Sequence, residues 1–314
     1  MSAPLAYLII FIGVLGHGSS EFFSVLTGLA GPETSVWRFM LGSFGLIIAA
    51  LIFMKPSRIT IPLKQNALAF IWTSLIGVTG TYLAFHIALD FASIVQVGTI
   101  ITTIPIFVGL TDRMLNKVPI STPKLITGFA AILGIVLLVT DGYLATLLSG
   151  DARSLIGIGL SVICAFCGAA YVVLAKPLIA KHGSLPVTTI TICMGTIGLW
   201  LIVGVGWQRW VSPTELLAMN AAQLWPLLTV GLWNTTITQL VWLAGLAAVP
   251  DITRGSYMFF LKPVITALLA YLFLSQTLTI LQMAAITVIC GAVVLEILWP
   301  MWNKFQSKAD NAGV

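Results

Sequence analysis

The sequence predicts an all-helical membrane protein whose ten transmembrane helices form two inverted-topology five-helix repeats. Three observations predict it. Of 314 residues, 59% are hydrophobic and only 8% are charged, against roughly 25% charged in a soluble domain, and the mean hydropathy is +1.05. Apolar runs long enough to cross a bilayer, taking ~20 residues for each crossing, occur ten times. Finally, a proline landmark at Pro105 recurs 158 positions later at Pro263. Five spans per half is an odd number, so the second half enters the membrane from the opposite side.

In order, the spans cover 5–28, 35–54, 66–89, 93–115, 123–143, 154–178, 186–206, 222–248, 252–274 and 278–299. The start, Met1–Ala6, has no basic segment and no A-x-A cleavage site follows, so no signal peptide is expected. His17 and Glu21 in the first span are four apart and share a helix face. Arg38 lies near the outer end of the second, where a snorkelling or capping role is expected. Tyr82 and His86 repeat the four-residue spacing in the third, with Asp90 close enough for a local pair with His86. Gln96, Thr99 and Thr103 form a polar stripe on the fourth, ahead of Pro105, and Asp112, Arg113 and Lys117 read as a solvated face at its end. Cys164 and Cys167 form a CxxC in the sixth with no partner pair, which reads as packing. The segment 207–221 carries Trp207 and Trp210, suited to a headgroup-level belt. Asn234, Thr238 and Trp242 line one face of the eighth span. Arg254, Met258 and Lys262 line one face of the ninth, with Tyr257 nearby and Pro263 directly after the lysine. Glu296 near the end of the tenth reads as interfacial.

Orientation follows from the basic residues. With a cytoplasmic N-terminus, eleven Lys and Arg fall in the inner loops and tail (Lys55, Arg58 and Lys64 to Lys308), and only Arg153 and Arg209 fall outside. This positive-inside bias places both termini in the cytoplasm. The repeats are expected at 1–146 and 147–303, with 304–314 as a short tail. The dispersed net charge of +5 is not a nucleic-acid footprint. The chain has no GxxxxGK[ST], HExxH or GxSxG motif, which argues against ATP hydrolysis and familiar hydrolase chemistry. No cofactor or metal is expected.

Beyond these readings, Trp37-Arg38, the run ending at Pro105, the glycine-bearing fifth span (Gly128 to Gly134), Ala-Ala-Tyr171, Trp242-Leu-Ala-Gly-Leu and Pro263-Val-Ile resemble the drug/metabolite transporter superfamily. The branch is the bacterial EamA-type family with two five-helix repeats, and the resemblance spans about residues 5–300. It implies a secondary transporter of a bacterial inner membrane, in which helices one, three, four, six, eight and nine surround a central cavity and five and ten are peripheral. It also tilts direction towards export. Where many relatives carry Glu before the second proline and Gly-Glu after the next apolar run, this chain has Lys262 and Ser275-Gln276.

A lysine at bilayer mid-depth costs roughly 2.5–3.5 kcal/mol on insertion scales and so has a partner or a task. Two readings stand side by side: Lys262 holds an anionic group of the cargo, or it is paired with Glu21. Lys262, Tyr257, Trp242, Asn234, Gln96, Tyr82, His86 and Arg38 are the candidate substrate-binding residues. Glu21 and His17 are the candidates for proton coupling, and Pro105 and Pro263 for gating. The expected cargo is a small polar metabolite, an amino acid or other carboxylate, moved by alternating access. A cationic drug or quaternary-amine exporter and a non-transporting membrane scaffold are the alternatives, and the protein is expected to be a monomer or a homodimer.

Overall fold

The computed structural model describes residues 3–140, 152–274 and 278–312, and these are helical with no strand among them. The side chains of Glu21 and of everything beyond Trp299 lie outside the described residues, as do Ser275-Gln276 and the expected repeat junction at 146. Nine helices among the described residues are long and apolar enough to span a membrane: α1 Pro4–Leu26, α2 Gly31–Phe53, α3 Ser57–Phe91, α4 Gln96–Asn116, α5 Thr122–Thr140, α6 Arg153–His182, α7 Ser184–Trp207, α8 Ala221–Ala248 and α10 Ile280–Trp299. The tenth, α9 (252–274), comes in three pieces: Ile252–Ser256, a 3-10 stretch Tyr257–Leu261, and Lys262–Leu274. Lipid-facing side chains such as Leu51, Phe53 and Phe129 are more than 70% exposed. Close packing between the helices is left to small and hydroxyl residues, as in other membrane bundles.

The repeat is visible in the pairing of helices. α1 lies along the end of α8, and α6 lies along the end of α3. Exchanging the halves turns one of these contacts into the other. α2 packs on α7 and α5 on α10, so each of those pairs maps onto itself, as an in-plane pseudo-two-fold axis requires.

Local irregularities repeat as well. α3 carries a π-helical segment at Leu75–Gly80, and α8 carries one at Thr229–Ile237; shifted by 158, the first overlaps the second. α4 opens at Ser93, whose hydroxyl accepts from the Gln96 N–H, and α9 opens at Asp251, whose carboxylate accepts from the Arg254 N–H. Eleven residues after each cap the helix breaks and restarts. In α4 the break is a Thr102-Thr103 turn, whose hydroxyls bond back to Gly98 and Ile100 carbonyls. Each proline therefore sits at the first turn of the restarted piece, Ile104–Asn116 or Lys262–Leu274. There its missing N–H costs little. The interruption lies just before the proline, not at it.

Glycine is needed where the chain turns sharply. Gly28 and Gly183 have φ of 65° and 92°, a region side chains other than glycine adopt at a cost. They make the short connections α1–α2 and α6–α7 possible.

Candidate functional site

Seven helices, α1, α2, α3, α4, α6, α8 and α9, contribute to one space of about 60 Å³ between them. Its wall carries His17, Arg38 and Lys262 together with Tyr82, Tyr171 and Trp242. The volume admits a few waters and falls well below the ~300–1,000 Å³ of typical ligand sites. A drug-sized ligand does not fit the space as it stands.

Arg38 is 0% exposed. Its Nη1 donates to Ser20 Oγ at 2.7 Å, its Nε to Thr235 Oγ1 at 3.0 Å, and its Nη2 to the Asn234 carbonyl at 3.3 Å. The guanidinium also lies 4.9 Å from the Tyr82 ring centre, a cation–π distance. The snorkelling expectation is thus corrected: Arg38 points into the bundle, towards the π-helical segment of α8. That segment supplies both Asn234 and Thr235, in keeping with the clustering of π turns at functional positions. Asn234 itself is a brace. Its amide donates to the Gly16 carbonyl at 2.5 Å and to Ser19 Oγ at 2.9 Å, tying α8 to the interruption in α1.

Lys262 is 5% exposed, and its Nζ lies 5.5 Å from the centre of the Phe259 ring. His17 sits edge-on to Trp242 and Phe259, with ring centres 5.5 and 5.3 Å apart. Its Nε2 is buried and has no hydrogen-bond partner among the described residues. Because such an atom costs about 1–3 kcal/mol if nothing ever meets it, it marks the wall as a place where a further polar group belongs. The Tyr171 ring lies directly on glycine backbone, since a Cβ on Gly77 would overlap it, and a Cβ on Gly13 would press on the Cβ and backbone of Trp242. Gln239 donates to the Tyr82 hydroxyl, and the Tyr171 hydroxyl is 2.8 Å from Thr191 Oγ1.

Of the sequence-predicted residues, the structure brings His17, Arg38, Tyr82, Trp242 and Lys262 to this space. It does not bring four others. His86 Nδ1 is 2.8 Å from Ser35 Oγ and 2.9 Å from the Tyr82 carbonyl, and Asp90 binds the Gly31 N–H instead of His86. Gln96 closes the α4 capping box with Ser93. Tyr257 donates to the Lys124 carbonyl, behind α9, and Asn234 braces α1. Glu21 lies outside the described side chains. Sequence reasoning missed Gln239, Phe259, Ser20 and Cys164. A glutamine within an apolar span was a signal for Gln239; nothing local distinguishes Phe259 from a lipid-facing ring.

Two charged clusters flank the space. At the N-terminal face, where α1 begins, Lys124 Nζ lies 2.6 Å from Asp251 Oδ2, and Arg254 Nε donates to Glu296 Oε1 at 3.1 Å. Thr127 donates to the other Glu296 oxygen at 3.0 Å. Glu296 is 0% exposed, so its interfacial reading is corrected: it joins α10 to α5 and α9. Asp112, expected in a solvated face, is buried and accepts from Asn116 at 2.7 Å. Burial pushes the Asp251 carboxyl upward, but Lys124 and the Arg254 N–H and guanidinium outweigh it and hold it below the usual carboxylate range. At the opposite face Arg209 bridges Glu33, at 2.7 Å, and Glu215. The Arg209 hydrogen bond holds the Glu215 carboxyl low, with help from the Ser212 N–H, and the two carboxylates push the guanidinium up.

This architecture has known counterparts. The sequence matches the EamA-like transporter family twice, over residues 4–140 and 155–298. It is 24% identical over 321 residues to a Bacillus subtilis (strain 168) protein named uncharacterized transporter YyaM, covering 97% of this chain and all of that one. It is likewise 24% identical over 285 residues to uncharacterized transporter YdfC of the same organism, covering 89% and 87%. An uncharacterized transporter of Archaeoglobus fulgidus is 26% identical over 278 residues, covering 88% of this chain and 91% of that one. A crystal structure that is 19% identical superposes with a TM-score of 0.76 over 95% of this chain and 98% of the other, a likeness of fold. Two matched halves, ten spans and relatives named as transporters along their whole length lead to one conclusion: the chain belongs to the EamA-like transporter family.

Proposed function

We propose that this transporter moves a small organic anion, an amino acid or other carboxylate, out of the cell by alternating access around the Arg38–Lys262 space. The observation that carries the reading is the placement of two buried basic side chains on the wall of one space. A carboxylate entering there meets charge-assisted donors in a low-dielectric setting. A cationic cargo would meet Arg38 and Lys262 on the same wall, which ranks it lower unless Glu21 neutralises Lys262. The aromatic rings suit the apolar body of such a substrate.

The N-terminal face is the cytoplasmic one on this reading, from the eleven-to-two distribution of Lys and Arg. The Lys124–Asp251–Arg254–Glu296 cluster then closes the inner mouth and the Arg209 cluster the outer. The caps and breaks of α4 and α9 mark the pieces that swing, Pro105 and Pro263 starting the halves beyond each break. The repeats are taken as 1–146 and 147–303. Glu21 and His17 are the proposed proton-coupling pair. In support, His17 lines the space and its buried Nε2 has no hydrogen-bond partner among the described residues.

The test is a thermal-shift screen of the purified protein against a metabolite panel, followed by uptake of the hits into liposomes at several pH values with and without a proton gradient. Carboxylates stabilising wild type but not Lys262→Met, and accumulating in the liposomes, are the expected result. Stabilisation by quaternary amines alone, or hits with no flux, would overturn it. Full retention of the pH dependence in Glu21→Gln would remove the coupling role.

A further inference from the structure

A second and larger recess lies away from the central space, at the N-terminal face between the end of α2, the start of α3 and the start of α7. It has a volume of about 500 Å³, within the ~300–1,000 Å³ range of sites that hold a drug-sized ligand. Ile47, Leu51, Ile59, Leu63, Ile190 and Met194 form its apolar walls. Lys55 lines its rim, at the turn that joins α2 to α3. There the Arg58 N–H bonds to the Lys55 carbonyl at 2.9 Å, so the two basic residues share one turn, and both are exposed.

The charge around the recess has a single sign. Between Glu33 and Asp90 the chain contains no Asp or Glu, and α7 contains none either. No ion pair involving Lys55 or Arg58 occurs among the described residues. An apolar slot on an exposed apolar flank, where Leu51 is 75% exposed, ending at a basic turn, is complementary to a molecule with an apolar tail and an anionic head.

We propose that this recess binds a phospholipid of net negative headgroup, with one acyl chain between α2 and α7 and the phosphate against Lys55 and Arg58. The position gives the lipid leverage. Immediately deeper, α2 and α7 meet through Ser43 Oγ and Thr196 Oγ1 at 2.8 Å and through Thr196 Oγ1 donating to the Phe39 carbonyl at 3.0 Å. That contact joins the two repeats, so a chain seated beneath it bears on the seam between them.

Native mass spectrometry of the full chain, released from nanodiscs of mixed phosphatidylglycerol and phosphatidylcholine, tests this. Wild type is expected to retain phosphatidylglycerol over phosphatidylcholine by at least about tenfold, as two basic side chains at one phosphate warrant. Lys55→Gln with Arg58→Gln should remove the preference. Arg113→Gln with Lys117→Gln, on another turn of the same face, should keep it. Thr60→Trp, an exposed rim position, should expel the lipid whatever its head. Equal retention of both lipids by wild type would overturn the proposal without any variant. So would equal losses in the two double variants, which would indicate diffuse surface charge, and so would an undiminished adduct in Thr60→Trp.

Discussion

α4 and α9 are built to one plan and charged differently. Each opens at a side-chain cap, is interrupted, and restarts about three turns after the cap at the residue before a proline. In α4 the cap is Ser93 with Gln96, and Ile104 precedes the proline. In α9 the cap is Asp251 with Arg254, extended by Lys124 and Glu296, and Lys262 precedes the proline. Cap and restart positions match in the two helices, while between cap and proline only α9 carries charged side chains. The difference teaches that the backbone plan is common to both helices, while the charged cap and the lysine before the proline belong to α9.

The largest expected effect of breaking this contrast is on stability. Glu296→Ala leaves Arg254, 18% exposed at its side chain, with only its 3.7 Å approach to Asp251. The cost should be near the lower end of the roughly 3–5 kcal/mol of a broken buried pair, while Ser93→Ala at the α4 cap should cost about 1 kcal/mol. Chemical denaturation in micelles measures both, and equal losses would erase the distinction. Next comes transport. Lys262→Met should lower carboxylate transport by about 10- to 100-fold, the worth of a hydrogen bond to a charged group, while Ile104→Val at the matching position should change it by less than about threefold. Liposome flux decides, and equal sensitivity would place charge selection elsewhere.

Pro105→Ala and Pro263→Ala should each shift stability by about 1 kcal/mol or less, since both prolines occupy first-turn positions where no helical bond is lost. A multi-kcal loss at either in the same denaturation experiment would mean that the proline itself makes the interruption. Smallest is the effect of pH on the α9 cluster. A carboxyl held below its ordinary value contributes its full stabilisation above that value and loses it as pH falls through the lowered one. For Asp251 that window lies below about pH 4, so the melting temperature of Asp251→Asn should differ from wild type by a constant amount between pH 5 and 8. A gap that closes within that interval would show Asp251 titrating there.

Much of this was legible in the residues. Ten apolar runs, two prolines 158 apart and the odd number of spans per half were enough for the fold, because bilayer thickness and backbone satisfaction leave few choices. The polar residues within spans were legible as exceptions, and five of the eight-plus-two named side chains do reach one space. The failures share a cause. His86, Gln96, Asn234 and Tyr257 looked like wall residues because a polar side chain in an apolar span must bond to something, and sequence does not say whether that something is cargo or a neighbouring helix. Glu296 failed in the opposite direction: a carboxylate near the end of a span reads the same whether it meets water or Arg254 from another helix. The π segments in α3 and α8 left no pattern at all, since their hydrogen-bond shift changes neither length nor hydropathy noticeably.

The small size of the central space has an electrical consequence. A membrane that stores energy as an ion gradient tolerates a carrier only if the carrier does not leak between cycles. A space admitting only a few waters beside Trp242, Tyr82 and Tyr171 leaves little room there for a hydrated ion, so on the proposed reading the same helix movement that admits cargo also governs whether ions can follow it.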